Sequence, residues 1–579
     1  MTRRRHTGGR GTWPERVHGR ARRAARAPGV RVVGAAVALL GTVSGCSQAA
    51  GTAAGPASTA AVPLTVTFSP SGPITSDFNP YSATSGLNAL GASSMLYEPL
   101  LQYDALRPGA VQPWLATGYT WSDGGRTLTF ALRHGVTWSD GRPFTSADVA
   151  FTFALLRTSP VLAGGTVITS VAAPTPWTVV LTFPTPAYAE LPAIASMYQL
   201  PKHGWQGANP LTFTNPHPVG TGPYLLTSAS SQGLVFDRNP HYWQPGLPKV
   251  PEIRFVVYDS VASANLALEH GQLQWTGEYI PEVQKQFVAR DPAHNRYRSP
   301  TDGEAFLLTQ DARYPFDITA VRQAISEAIN RPAVVASGEE GLVPAATSPT
   351  GLALPLYRSF LAPQYASLTY HPDPGGAAAL LASAGFHRTP GGTMLQPDGR
   401  PFDITMVAPS GWTDSLADYQ VIAQQLSALG IHVAVNAVSL AEFVADVTEG
   451  TFDMVELPAT GQPTVSPYYT YRFLLSSSYY QPIGHLALGN FERWSNPRTD
   501  TLLAQYAAAA TPAARQVALD GLEQIMVDQV PVIPFAGAVA WGEYSTAHYV
   551  GWPSAANPYE VATPASPGNE VVVLHLRPR

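Results

Sequence analysis

One cysteine, Cys46, is all that the 579 residues contain. A lone Cys excludes an intramolecular disulfide and any Cys-based zinc or iron–sulfur site. Charge is also scarce, at 13% of residues. No apolar run after residue 45 is long enough to cross a bilayer as a helix. Catalytic signatures are missing too: there is no G-x-S-x-G, no H-E-x-x-H and no G-x-x-x-x-G-K-[ST]. The Gly-Thr-Gly-Pro-Tyr-Leu run from Gly220 fails as a dinucleotide fingerprint. The 14 His are scattered without ligand spacing, so no local metal site is expected. These absences point away from an enzyme and from any cofactor.

What is present is apolar, loop-rich and aromatic. Hydrophobic residues make up 45%, enough for two or three domains with cores of their own. The 54 Pro and 50 Gly imply many loops between short elements. At the N-terminus an Arg-rich stretch ending at Arg31 precedes VVGAAVALLGTV, an apolar run of signal-peptide length. Val43-Ser44-Gly45-Cys46 follows and resembles the lipobox of bacterial lipoproteins, in which the Cys is acylated. Residues 1–45 hold 10 Arg and one Glu; of the chain's 35 basic and 40 acidic residues, 25 and 39 therefore lie after position 45, a formal −14. Such a surface repels phosphate backbones and excludes nucleic acid as a partner. The small, flexible stretch to residue 62 reads as a tether. The expectation is an exported protein on the outer face of the membrane, lipid-anchored through Cys46.

The rest alternates between strand and helix patterns. LTVTF from Leu64 reads as a strand, and Leu128, Phe130 and Leu132 share one face of a hairpin closed by Asp-Gly turns. In WSDGRPFTSADVAFTF, Thr145 and Asp148 fit a capping box, and Val149, Phe153 and Leu156 recur at helical spacing. VRQAISEAINRPAVV reads as one amphipathic helix. PFDITMVAPSGWTDSLADYQVIAQQLSALGIHVAVNAV reads as strand, loop, helix, strand. Its loop falls at the carboxyl end of the first strand, where open α/β sheets bind ligands.

Motifs from end to end carry a resemblance: DFNPY with LYEPLLQYD, PWLATGYTWSDGGRTLTFALRHGVTWSDGRPFTSADVAFTF, NPHPVGTGPY, RNPHYWQPGLPKV, AVRQAISEAINR, GTFDM, and VPVIPF with YVGW. In combination they are similar to the family 5 solute-binding proteins of ABC importers, the group of oligopeptide- and dipeptide-binding proteins. The resemblance implies an α/β chain, a two-lobed periplasmic-binding-protein type II fold with an extra subdomain inserted in lobe I. The implied boundaries are a signal peptide at 1–45, a tether at 46–62, lobe I at 63–100, 216–304 and 538–579, the inserted subdomain at 101–215, and lobe II at 305–537. Crossing strands are expected near Glu304–Phe306 and Phe535–Val539. Hinge closure around a ligand and docking on a membrane permease follow from the same resemblance, with a monomer expected.

Family peptide binders pair the ligand's terminal ammonium with an Asp in a Trp-x-x-Asp-Tyr-x-Asp-Pro-like run. Here that segment reads VELPATGQPTVSPYY, without the Trp or the Asp. Glu456 and Glu278 are the substitute candidates, because an ammonium in a closed cleft needs a partner charge. Other segments (FNPYSATS, SGWTD, GNFERWSNP) look more like the family's oligosaccharide binders. They add Trp412, Thr413 and Asp414 in the loop after a strand and Asn490 with Phe491 and Arg493 on a rim, while family position adds Trp275 beside the ligand and Tyr81 and Leu87 in a first-lobe loop. Peptide is the first expectation and oligosaccharide the alternative, with nickel carriage and a secreted hydrolase behind them.

Overall fold

A computed structural model describes residues 62–68, 72–158, 166–458, 466–565 and 567–579. The signal-peptide, lipobox and Cys46 readings, and nearly all of the tether, lie outside the described residues.

Two sheets organise the chain. The first has seven strands in the order Asn295–Arg298, Gly542–Ser545, Trp275–Thr276, Leu64–Val66, Glu252–Val256, Gly233–Arg238, Tyr224–Ser230. Leu64–Val66 runs parallel to both of its neighbours. The helix Val261–Glu269 connects two strands of this sheet, making the α/β unit read from the sequence. The second sheet has five strands, in the order His432–Val438, Asp403–Pro409, Met454–Pro458, Thr301–Thr309, Ile533–Val539. The strand Thr301–Thr309 lies inside this sheet, paired with Met454–Pro458 on one side and Ile533–Val539 on the other. Ala305 and Leu307 enter one apolar cluster while Phe306 and Leu308 enter another, so both faces are covered and the strand reads as a continuous apolar run.

The chain passes from the seven-stranded to the five-stranded sheet between Arg298 and Thr301. That is a few residues ahead of the expected 304–306; Pro300 has no N–H to donate, so the first ladder stops there. It returns between Val539 and Gly542. A separate four-stranded antiparallel sheet (Ala116–Ser122, Thr127–Leu132, Thr178–Thr182, Ser170–Thr175) lies within the segment read as an insertion. It packs on the helix Ser146–Leu156, whose start is a capping box: the Thr145 hydroxyl accepts a backbone N–H while the Asp148 carboxylate accepts the Thr145 N–H. Leu128, Phe130, Val149 and Phe153 meet in the core beneath.

One helix reading needs correction. VRQAISEAINRPAVV forms two helices, Thr319–Ala328 and Arg331–Gly338. Pro332 cannot donate within a continuing helix, and the Asn330 side chain instead caps the second by accepting the Ala333 N–H.

Candidate ligand-binding site

The helix Thr413–Ala428 starts directly after the strand Asp403–Pro409, and the next strand, His432–Val438, returns parallel to the first. This βαβ unit aims residues 410–415 at the edge of the five-stranded sheet where both crossing strands pass. There a cavity of about 210 Å³ opens. Its floor is Ala305 and Gly537–Val539 of the crossing strands. One wall is Trp412, Thr413, Asp414 and Ser415, with Glu456 from the neighbouring strand and Glu339 from the end of the helix Arg331–Gly338. The facing wall comes from the seven-stranded half: Gly277, Glu278 and Tyr279 after the strand Trp275–Thr276, and Trp541 where the second crossing ends.

Four carboxyl groups line this space, and no Lys, Arg or His is among the described residues that do. Asp418, one turn along from Asp414, lies fully buried behind the wall. Glu456 and Glu339 are 7% and 8% exposed, and the Oε2 atom of each is buried without a hydrogen-bond partner. Both carboxyl oxygens of Asp418 are in the same position. Burial, with Asp414 adding to it against a Ser415 hydrogen bond, pushes Glu456 up to about 8. Burial, then Asp418, Glu456 and Asp414, pushes Glu339 up to about 10. Burial, then Glu456 and Asp414, pushes Asp418 to about 9. Two rings are braced at its border: Trp412 edge-on to Phe443 at 5.3 Å, and Tyr279 edge-on to Trp541 at 5.4 Å. Among the described residues, no group of three or more His, Cys, Asp or Glu is placed to hold a metal ion.

Five of the nine ligand candidates read from the sequence line this one cavity: Glu278, Trp412, Thr413, Asp414 and Glu456. The other four do not. Trp275 is fully buried, donates its Nε1–H to the Ala562 carbonyl and packs edge-on to Trp552 at 5.2 Å, so it belongs to the core of the seven-stranded half. Leu87 is fully buried in the same core. Tyr81 packs against that core and donates its hydroxyl to the Tyr198 carbonyl at 2.6 Å. Asn490 is fully buried, and its Nδ2 donates to the Ser476 and Trp494 carbonyls, which fixes a loop. Phe491 and Arg493 are buried with it. Glu339, Tyr279 and Trp541 line the cavity without having been singled out. Asp418 is the one with a readable signal, because it stands four residues after Asp414 on the same helix face.

A second, larger cavity of about 550 Å³ lies between the inserted segment and the five-stranded half. Tyr119, Trp121 and Tyr188 face Phe360, Tyr469 and Tyr506 across it. Beside it the halves touch: the Tyr469 hydroxyl donates to the Ala189 carbonyl, and Arg472 Nη1 lies 3.1 and 3.2 Å from the Glu190 carboxylate oxygens. At the far border the Tyr279 hydroxyl donates to the Gly338 carbonyl, and the Glu340 carboxylate accepts the Glu282 N–H.

Two α/β halves joined by two crossing strands, with a cavity at the junction, define a binding protein of the periplasmic type II fold. Residues 110–481 match the family described as bacterial extracellular solute-binding proteins, family 5 Middle, and the chain belongs to this family of ABC-importer solute receptors. Among its relatives, a glutathione-binding protein GsiB of Shigella flexneri is 29% identical over 476 residues, 79% of this chain and 86% of the relative. The nickel-binding periplasmic protein of Escherichia coli is 27% identical over 409 residues, 67% of this chain and 74% of the relative. An oligopeptide-binding protein of Thermotoga maritima, solved with mannohexaose bound, has a TM-score of 0.79 at 25% identity, covering 89% of this chain and 98% of that one. The chain is thus an extracellular or periplasmic solute-binding protein, from a family of receptors and not of enzymes.

Proposed function

We propose that the protein captures a peptide between its two halves, seats the peptide's amino terminus in the carboxylate-lined cavity, and delivers it to the permease of an ABC importer. The observation that carries this reading is the pair of buried, unpartnered oxygens, Glu456 Oε2 and Glu339 Oε2, on the wall of a cavity whose described lining holds no Lys, Arg or His. An unmade hydrogen bond at a buried acceptor costs about 1–3 kcal/mol, and an ammonium supplies the missing donors and charge together. Closure would pivot on the segments between Arg298 and Thr301 and between Val539 and Gly542, with the inserted segment and the seven-stranded sheet moving as lobe I. The protein works as a monomer held to the outer face of the membrane by lipid on Cys46.

A second reading, an oligosaccharide receptor, is favoured by the rings of Trp412, Tyr279 and Trp541 at the cavity and by the mannohexaose bound to the Thermotoga maritima neighbour. A thermal-shift comparison of the purified mature protein with pooled short peptides and pooled oligosaccharides separates the two. Ligand at about a hundred times its dissociation constant adds roughly 2.7 kcal/mol, a shift of several degrees. Stabilisation by the sugar pool alone would retire the peptide reading.

A further inference from the structure

The chamber bounded by Glu278, Glu339, Asp414 and Glu456 holds more carboxyl groups than one ammonium requires. We propose that it receives an organic ligand carrying two protonated nitrogens close together, as in the first residue of a peptide that begins with Lys or Arg, or in a short polyamine. The proposal rests on the reading that the cavity between the halves is the solute site.

Three features of the chamber support it. The first is the count and placement of acceptors. Glu339 and Glu456 come from different elements, a helix end and a strand, and each presents a buried oxygen without a donor. A single ammonium neutralises one carboxylate and leaves the rest either charged against each other or protonated. Two nitrogens a few bonds apart supply donors to both. The second feature is the missing counter-charge. With no Lys, Arg or His on the described lining, a ligand carboxylate finds no partner, so a peptide's carboxyl end must lie outside the chamber. The third is size. About 210 Å³ is below the range of whole-ligand pockets, roughly 300–1,000 Å³, and suits the charged end of a ligand. The rings of Trp412, Tyr279 and Trp541 border the same space, and aromatic faces attract ammonium and guanidinium groups. The raised carboxyl pKa values agree: in the empty chamber these groups hold protons, which an entering dication displaces.

Calorimetric titration of the ligand-free mature protein with Lys-Ala-Ala, Ala-Ala-Ala, spermidine and mannohexaose tests the proposal. Lys-Ala-Ala is expected to bind at least about tenfold more tightly than Ala-Ala-Ala, and Glu339→Gln to shrink that preference at least about fivefold. Asp418→Asn is the second variant should Glu339→Gln fail to fold, and is expected to shrink the preference in the same direction. Equal affinity for the two peptides would overturn the dication inference while leaving the peptide reading intact. Spermidine binding without either peptide would support the dication and end the peptide reading. Binding of mannohexaose alone, or of none of the four, would overturn the inference, and mannohexaose alone would overturn the peptide reading with it.

Discussion

Arg472 and Glu190 join the five-stranded half to the inserted segment, so their ion pair exists only while the halves are together. Each side chain is 14% exposed, and Nη1 sits 3.1 Å from Oε2 and 3.2 Å from Oε1. Breaking one partner of a fully buried pair costs about 3–5 kcal/mol, whereas an exposed pair contributes about 0–1. Screening at this residual exposure places the pair between those limits, at about 2 kcal/mol. The Thr166 hydroxyl, 2.6 Å from Glu190 Oε2, still serves the carboxylate when the arginine is gone, which keeps the cost from reaching the upper limit. Arg472→Met keeps the apolar stem and removes the charge, so lost packing contributes little. Because the loss falls on the closed arrangement alone, about 2 kcal/mol should weaken the affinity for a captured peptide roughly thirtyfold. Small-angle scattering of the ligand-free variant should show a larger radius of gyration. The double variant with Glu190→Gln should lose no more affinity than the sum of the two single losses, and less if the pair is coupled. Unchanged affinity together with unchanged scattering would refute the reasoning: the halves would then be held by other contacts, or would not separate.

Affinity for Lys-Ala-Ala should rise from pH 6 towards pH 8, because deprotonated carboxylates bind the cation and burial has raised those carboxyls to about 8 (Glu456), 9 (Asp418) and 10 (Glu339). The groups around them are Glu278 and Tyr279 from one half and Asp414 and Tyr419 from the other, none of them a cation, while Glu340 acts on Tyr279. The same shifts make the ligand-free protein most stable at low pH within this range and less stable as pH climbs through the folded-state values, so its melting temperature should fall between pH 6 and pH 9; a flat or rising curve would contradict the buried-acid picture. Trp412→Ala should weaken ligand binding by at least about 1 kcal/mol with a small effect on melting, since the ring is half-buried at the cavity. Trp275→Ala should do the reverse and destabilise the fold by about 3–5 kcal/mol, as deleting a fully buried ring does, and its affinity should be normal once it is folded. Cys46→Ser should release the protein from membranes; a variant that still sediments with them would end the lipid-anchor reading.

How much of this was legible in the sequence depended on the range of the interaction. The capping box at Thr145 and Asp148 and the hairpin face of Leu128, Phe130 and Leu132 are local, and both form as the spacing predicts. The βαβ unit from Asp403 to Val438 placed Trp412, Thr413 and Asp414 at a strand's carboxyl end, and chain geometry alone then brings them to the cavity wall. Glu456 stands out in the sequence because it is the only nearby acid after the GTFDM strand, in the segment where the family resemblance places an ammonium-binding Asp, and it lines the cavity. Trp275 misled for a physical reason: it lies two residues before the cavity-lining Gly277, and the two-residue strand it opens is paired on both sides, which turns its ring into the core, while the chain reaches the cavity only after leaving that sheet. Asn490, Phe491 and Arg493 carry polar and aromatic groups that suit a ligand, but Asn490 and Arg493 donate to backbone carbonyls, among them those of Ser476, Trp494, Thr448 and His485, and Phe491 is buried beside them, a partition no sequence pattern reveals. Glu339 could not be read at all. It sits at the end of a helix whose boundary was itself misplaced, 117 positions before Glu456, and only the packing of that helix against the helix Thr413–Ala428 brings the two carboxyls to one wall. A charge cluster assembled from four separate segments is therefore a property of the closed fold, and its chemistry can be tested only in that fold.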